Sequence, residues 1–336
     1  VFLGDYIYES TWGEDLVRYH SDEGAVARTL EQYRNRHAQY RLDEDLQRLH
    51  GQVPWIVTWD DHEVANDYAG FASERLEPDF AARRQAGYQA FWEHMPLRMS
   101  QLPRRARTRI YGTVAWGQLA RLHVLDGRQY KTKQACPRPG MGGGNFLDAC
   151  PEAQAAVRSF LGREQEAWLE GQLAENTALW SLLAQQTLVA PLDRTPGPGS
   201  EIWTDGWSGY PAARRRLLAA LGKPSVKNAF VLGGDIHCFV AADLHADPED
   251  PDSPIIAGEV CGTSISSQGP DNAELEALLP ENPHVHAALS ERGYTTLTVT
   301  PDAAHAELRV VDDVRKKDAP VRTHARFTME AGGPGL

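Results

Sequence analysis

Apolar residues arrive in short bursts along this chain, and several bursts end in a cluster of acids. Val1-Phe2-Leu3 runs into Gly4-Asp5-Tyr6-Ile7-Tyr8, and Val53 to Trp59 runs into Asp60-Asp61-His62-Glu63. Runs of this length, rich in β-branched and aromatic side chains, predict strands. Further strands are predicted from Arg109 to Trp116, Arg121 to Leu125, Trp180 to Val189, Ala229 to Leu232, Ile255 to Val260 and Tyr294 to Thr300. Ala306 to Val311 with His324 to Met329 predicts a closing antiparallel meander. Helical periodicity covers about Ala25 to His50, Glu74 to Met95, Gly162 to Glu175 and Tyr210 to Leu221, the last with Pro211 near its start. Early alternation of strand and helix, followed by a strand-rich second half, predicts an α/β (α+β) fold of two sheets with helices on their outer faces. No repeat or linker divides the chain, so residues 1–336 read as one domain.

Composition narrows the class. At 336 residues and 42% hydrophobic, the chain can bury a large core. A formal net charge of −12 argues against a nucleic-acid-binding surface and against adhesion to an anionic membrane. No run of 18 apolar residues suggests a transmembrane helix, and no signal peptide is visible. A strand that begins at residue 1 and leads at once into chemistry suggests that upstream residues have been removed. The four cysteines form two local pairs, Cys136 with Cys150 and Cys238 with Cys261, without the CxxC spacing of a zinc or redox site. Disulfides are the preferred reading, and they place the protein in an oxidising, secreted or extracytoplasmic setting. Cys136 and Cys150 bracket a Pro/Gly-rich stretch, where a bridge would contribute about 3 kcal/mol.

Four motifs share one design, in which an apolar strand ends in polar, ligand-type residues. These are Asp5 with Tyr8, Asp60 to Asp67, Asp126 with Arg128, and Asp235 with His237. The carboxyl edge of a sheet is where α/β folds assemble their sites. Any one such carboxylate could be a turn former. Asp60, Asp61, His62 and Glu63 together put four ionisable groups beside a hydrophobic strand, which is costly unless a cation compensates. Oxygen ligands from Asp5, Asp60 or Asp61, Asn66 and Asp235 suit Ca²⁺, Mg²⁺ or Mn²⁺, whereas His237 and a Tyr8 phenolate suit a stronger Lewis acid such as Fe³⁺. Such mixed ligation implies more than one metal, and two cations can hold a phosphoryl group between them.

The motifs Gly-Asp-Tyr-Ile-Tyr-Glu at 4–9, Trp-Asp-Asp-His-Glu-Val at 59–64, Leu-Asp-Gly-Arg-Gln-Tyr at 125–130, Gly-Gly-Asp-Ile-His at 233–237 and Gly-Thr-Ser-Ile-Ser-Ser at 262–267 resemble the PhoD family of alkaline phosphatases and phosphodiesterases. The resemblance covers essentially the whole chain. It implies a metallophosphatase-like two-sheet sandwich flanked by helices, and a catalytic domain lacking an upstream strand and an N-terminal domain. It also implies hydrolysis of phosphate mono- or diesters by a metal-bound oxygen nucleophile, with Fe³⁺ and Ca²⁺ as cofactors. In that reading Asp5 bridges the metals, Tyr8 and His237 bind iron, and Asp60 or Asp61, Asn66 and Asp235 serve calcium. His62 contacts phosphate or protonates the leaving group, and Arg128 either contacts phosphate or forms an ion pair with Asp126. The family takes a further iron ligand, a cysteine, from a strand upstream of the first motif, and none of the four cysteines here lies in a matching context.

Alternatives stay open at this level. Two divalent ions such as Mn²⁺, Mg²⁺ or Zn²⁺ could replace the iron–calcium pair. A secreted phospholipase D of the same family, acting on a phospholipid, and a non-catalytic calcium-binding protein with the same fold are the other functional readings. A monomer is expected. His37 and His123 read as packing residues, His284 and His286 as a loop able to approach the site, and Arg214-Arg215-Arg216 as a solvated helix face.

Overall fold

The computed structural model describes residues 1–10 and 26–336. The first helical prediction therefore begins, at Ala25, outside the described residues. Its remainder is two helices, α1 (Leu30–Tyr40) and α2 (Glu44–Gln52). Thr29 opens α1 with a reciprocal capping box to Gln32. The break comes where the Asp43 side chain accepts the backbone N–H of Leu46, starting a new helix instead of continuing the old one. Then follow α3 (Phe80–His94), α4 (Arg163–Ala174), α5 (Pro211–Leu221) and α6 (Asn272–Leu278).

The strands are β1 (Gly112–Trp116), β2 (Ala120–Val124), β3 (Phe146–Leu147), β4 (Trp180–Ala184), β5 (Ile202–Trp203) and β6 (Ala229–Gly233). After these come β7 (Phe239–His245), β8 (Ile255–Cys261), β9 (Val285–Leu289), β10 (Gly293–Val299), β11 (Ala303–Val311) and β12 (Val321–Glu330). Seven of them form one sheet in the order β1-β2-β4-β6-β8-β7-β9, with β2, β4, β6 and β8 mutually parallel. Every residue of β4 is buried, as a strand covered on both faces requires. β10, β11 and β12 form an antiparallel sheet whose edge strand β12 alternates in exposure, one face in and one face out.

Leu122, Leu182 and Phe230 of the large sheet meet Ala304, Leu308, Val310 and Met329 of the small one in a shared core. On the opposite face the large sheet packs against Leu169 and Leu173 of α4 and Leu217, Leu218 and Leu221 of α5. A third core gathers Tyr33, Trp59, Tyr88 and Phe91 around the first two motifs. The fold is thus the two-sheet sandwich with flanking helices.

Several readings of the sequence need correction. The strands expected at the first two motifs shrink to one parallel bridge between Phe2 and Val57. Pro54 supplies no donor there, and both segments turn away at once into polar loops. β7, β9 and α6 were not foreseen. His286 lies in β9 against Asp243 (2.8 Å) and His284 reaches the Pro191 carbonyl (2.8 Å), so both are tied to structure elsewhere. Arg214 is buried and only its two neighbours lie on the outer face of α5, where Arg215 pairs with Glu249 and Arg216 with Glu166.

Cys136 and Cys150 are joined in a disulfide with Cα atoms 6.1 Å apart. Cys238 and Cys261 are buried free thiols. The β7–β8 register sets Cys261 opposite Val240, so Cys238 is two residues off, beyond the span a disulfide closes. The Cys261 thiol instead donates to the Gly234 carbonyl at 3.1 Å.

Candidate metal centre

The bridge at Phe2 aligns the first two motif segments side by side: Phe2 N donates to Ile56 O (2.8 Å) and Thr58 N to Phe2 O (3.0 Å). Their loops leave together, and Gly4 passes so close to Asp60 that a Cβ at residue 4 would lie 2.3 Å from the Cβ of Asp60. Two carboxylates then lock the loops to each other reciprocally. Glu63, from the second loop, accepts the backbone N–H groups of Asp5 (3.0 Å), Tyr6 (2.6 Å) and its own neighbour Asp60 (2.7 Å). Glu9, from the first, accepts Asn66 N (2.9 Å) and pairs with His62 Nδ1 (2.6 Å). The carboxyl ends of β2 and β6 bring in Arg128 and the pair Asp235 and His237. Asp5, Asp235 and His237 all hold positive φ, at 52°, 70° and 57°. Such left-handed backbone at non-glycine residues costs energy and concentrates at functional sites.

Carboxylate oxygens of Asp5, Asp60, Asp61 and Asp235 lie within 4.8 Å of one another, and a second set, Asp5, Asp61 and His62, meets the same limit. Burial, then mutual repulsion, raises Asp5 well above the usual carboxylate range, though His62 pulls the other way. Burial also raises Asp60 despite Arg128, and pushes Asp235 up to about 6. Asp61 alone goes down, because Arg128 and His62 outweigh its burial. Its Oδ1 is nevertheless buried without a hydrogen-bond donor. Three carboxylates whose charged forms burial disfavours, beside a fourth, Asp61, with an orphaned oxygen, fit a hard cation.

Beside Asp5 stands a donor pair of another kind. The Tyr8 hydroxyl lies 2.8 Å from His237 Nε2 and 3.5 Å from Asp5 Oδ2. His237 Nδ1 is 2.6 Å from the Gln268 carbonyl. That carbonyl can only accept, so the ring proton sits on Nδ1 and Nε2 keeps its lone pair. A phenol oxygen, an imidazole nitrogen and a shared carboxylate suit a stronger Lewis acid than the all-oxygen set does.

His62 is buried, stacks on the Tyr8 ring with centroids 3.9 Å apart, and is held well above the usual histidine pKa by Asp61, Glu9 and Asp5 against its burial. The ion pair foreseen for Arg128 exists with other partners. Asp126 accepts the backbone N–H groups of Arg128 (3.0 Å) and Gln129 (2.9 Å), a turn-forming role. The guanidinium itself grips Asp60 through Nε and Nη2 and Asp205 through Nη1 (2.6 Å), with Asp61 3.6 Å and Asp235 4.0 Å from Nη2. Its nitrogens are committed to carboxylates instead of facing the cavity. Asn66 lines a separate cavity of about 370 Å³ with Glu9, Ser73 and Arg83, and is not on the cavity of about 630 Å³ that Asp5, Asp60, Asp235 and His237 line.

Sequence reasoning missed Glu9 and Glu63 as clamps, and it missed Asp205. This buried carboxylate accepts Arg128 and Lys131 Nζ (2.8 Å) and takes a further hydrogen bond from Gln134 (2.7 Å), a residue at the root of the disulfide loop. Asp205 lies outside the four strand-end motifs read from the sequence, after the short apolar step Ile202-Trp203. Its separation of 77 residues from Arg128 left no local signal of the pairing.

Comparison with known proteins gives one consistent picture. Residues 1–308 match the family described as PhoD-like phosphatase. Alkaline phosphatase D from Bacillus subtilis (strain 168) is 40% identical over 344 residues, covering 99% of this chain and 58% of the relative. A solved structure titled "Structure of PhoD" superposes with a TM-score of 0.87 at 38% identity, covering 98% of this chain and 64% of that one. The chain therefore spans somewhat more than half the length of the relatives it matches.

Proposed function

Because this chain belongs to the PhoD-like phosphatase family, we propose that it hydrolyses phosphate mono- or diesters at a two-cation centre held by Asp5, Tyr8, Asp60, Asp61, Asp235 and His237. The observation that carries the reading is the meeting of three further carboxylates, Asp60, Asp61 and Asp235, and a Tyr8–His237 pair around Asp5. We assign Fe³⁺ to the Tyr8–His237 side and Ca²⁺ to the carboxylate side, Asp5 being shared. Bound there, the cations would supply Lewis acidity toward the phosphoryl oxygens and lower the pKa of water.

The chain's own groups do the rest. His62, bonded through Nδ1 to Glu9 and set beside Asp5 and Asp61, binds a phosphate oxygen or gives a proton to the leaving alkoxide. Glu9 fixes its ring, and Glu63 fixes the two loops that carry Asp5 and Asp60. Arg128 neutralises part of the carboxylate charge and anchors Asp60. A secreted or extracytoplasmic location belongs to the same proposal, supported by the Cys136–Cys150 bridge. Among the described residues no helix is long and apolar enough to cross a membrane.

The test starts from chelated protein. Turnover of p-nitrophenyl phosphate and its bis ester should return on adding Fe³⁺ and Ca²⁺, together with a visible tyrosinate-to-iron band that Tyr8→Phe removes. Undiminished turnover in Asp5→Asn would overturn the reading. Restoration by two divalent ions, without the band, would replace iron by a divalent pair.

A further inference from the structure

The Gly262-to-Ser267 motif has no role in the chemistry described so far, yet it lies against the Tyr8–His237 pair. It leaves the carboxyl end of β8 and packs so tightly that a Cβ at Gly269 would stand 2.2 Å from the His237 carbonyl. Ser267 is buried, and its backbone oxygen is held from two sides, by Ser264 Oγ (2.6 Å) and by Arg292 Nη1. From this fixed position two consecutive residues reach the two members of the pair. Gln268 accepts His237 Nδ1–H at 2.6 Å, and Ser267 Oγ donates to the Tyr8 oxygen at 3.2 Å.

The direction of the second bond follows from the first. With Nδ1–H given to Gln268, His237 Nε2 is an acceptor, and the single phenol proton goes to it at 2.8 Å in preference to Asp5 Oδ2 at 3.5 Å. The Tyr8 oxygen can then only accept from Ser267. That donation survives loss of the phenol proton and strengthens with it, because the acceptor becomes charged.

We propose that Ser267 is a positioning residue that tunes Tyr8 as a metal ligand, and that the Ser267-Gln268 segment is the outer support of the iron side of the centre. The inference rests on the iron reading above. A hydrogen bond to the phenolate lowers the energy of its donor electrons, so removing it moves the tyrosinate-to-iron band to lower energy. Outer partners of metal ligands change affinity by about 10- to 100-fold when removed.

The experiment compares visible spectra and iron dissociation constants of the Fe³⁺-loaded wild type, Ser267→Ala, Ser267→Thr and Tyr8→Phe. Ser267→Ala should shift the band to longer wavelength and raise the dissociation constant about 10-fold. Ser267→Thr, which keeps a hydroxyl, should restore both and so separate loss of the donor from loss of packing. A band that Tyr8→Phe abolishes but that Ser267→Ala leaves in place overturns the inference alone. No band in the wild type overturns the iron reading and this inference with it.

Discussion

Two groups of buried charge lie against each other in this protein, with Arg128 between them. On one side Asp205 faces Arg128 and Lys131, and although burial would raise its pKa, those two cations hold the carboxyl well below the usual range. On the other side Asp5, Asp60 and Asp235 have Arg128 and His62 nearby and still rise, because burial and their neighbours' charges win. Both groups look alike in sequence, as acids in an apolar context. Direction of shift separates them. Asp205 is satisfied by the chain's own cations, as a structural ion pair is, whereas the second group lacks positive charge that the fold does not provide.

The comparison is broken most forcefully by exchanging the two kinds of carboxylate for their neutral isosteres. Asp205→Asn leaves Arg128 Nη1 and Lys131 Nζ without their buried anion, a change that destabilises by about 3–5 kcal/mol. Denaturant unfolding of the chelated protein measures it, and a loss under about 1 kcal/mol would show that the pair is not structural. Asp235→Asn should do the opposite. Its carboxyl is pushed up to about 6 and already carries a proton in mildly acidic metal-free protein, so the amide costs little there and stabilises at higher pH. Activity of the metal-supplemented enzyme should fall about 10²–10³-fold, as when one preorganised electrostatic group is removed. Equal stability losses in the two variants would erase the distinction.

How much of this was legible beforehand follows the same division. Ligand carboxylates announce themselves because each follows an apolar run: Asp5 after Phe2-Leu3, Asp60 after Thr58-Trp59, Asp235 after β6. The helices α4 and α5 and the strands of the large sheet's parallel core were visible for the related reason that burial imposes periodicity. Partners contributed from far along the chain were not. Asp205 follows only the two-residue apolar step Ile202-Trp203 and sits far in sequence from the cations it meets, and Glu9 and Glu63 read as two more charges in an acidic motif until the backbone N–H groups they accept are seen. The register that separates Cys238 from Cys261 is a property of the β7–β8 ladder, and β7 itself was hidden behind the motif that precedes it. Sequence pattern thus locates the groups that meet a ligand better than it locates the groups that hold them.

The smallest of these effects has a sign that distinguishes the two groups within one experiment. Asp235, Glu63 and Asp67 have folded-state values pushed by burial to about 6, about 7 and about 8, each above its ordinary range. Between about pH 4 and pH 8 these three groups therefore bind more protons in the folded metal-free protein than in the unfolded chain, and the stability they contribute is lost as pH rises through that window. Asp205, with its depressed value, contributes in the other sense: its stability is present above about pH 4 and is lost in acid. Bound cations would take the place of the protons on the ligand carboxylates, so the loaded protein should gain as pH rises. Melting temperatures of chelated and loaded protein at about pH 5 and about pH 8 should diverge by a few °C, the chelated curve falling toward alkaline pH. Curves that run parallel would mean that the raised carboxylates are not where the cations bind, and the contrast with Asp205 would no longer mark a metal centre.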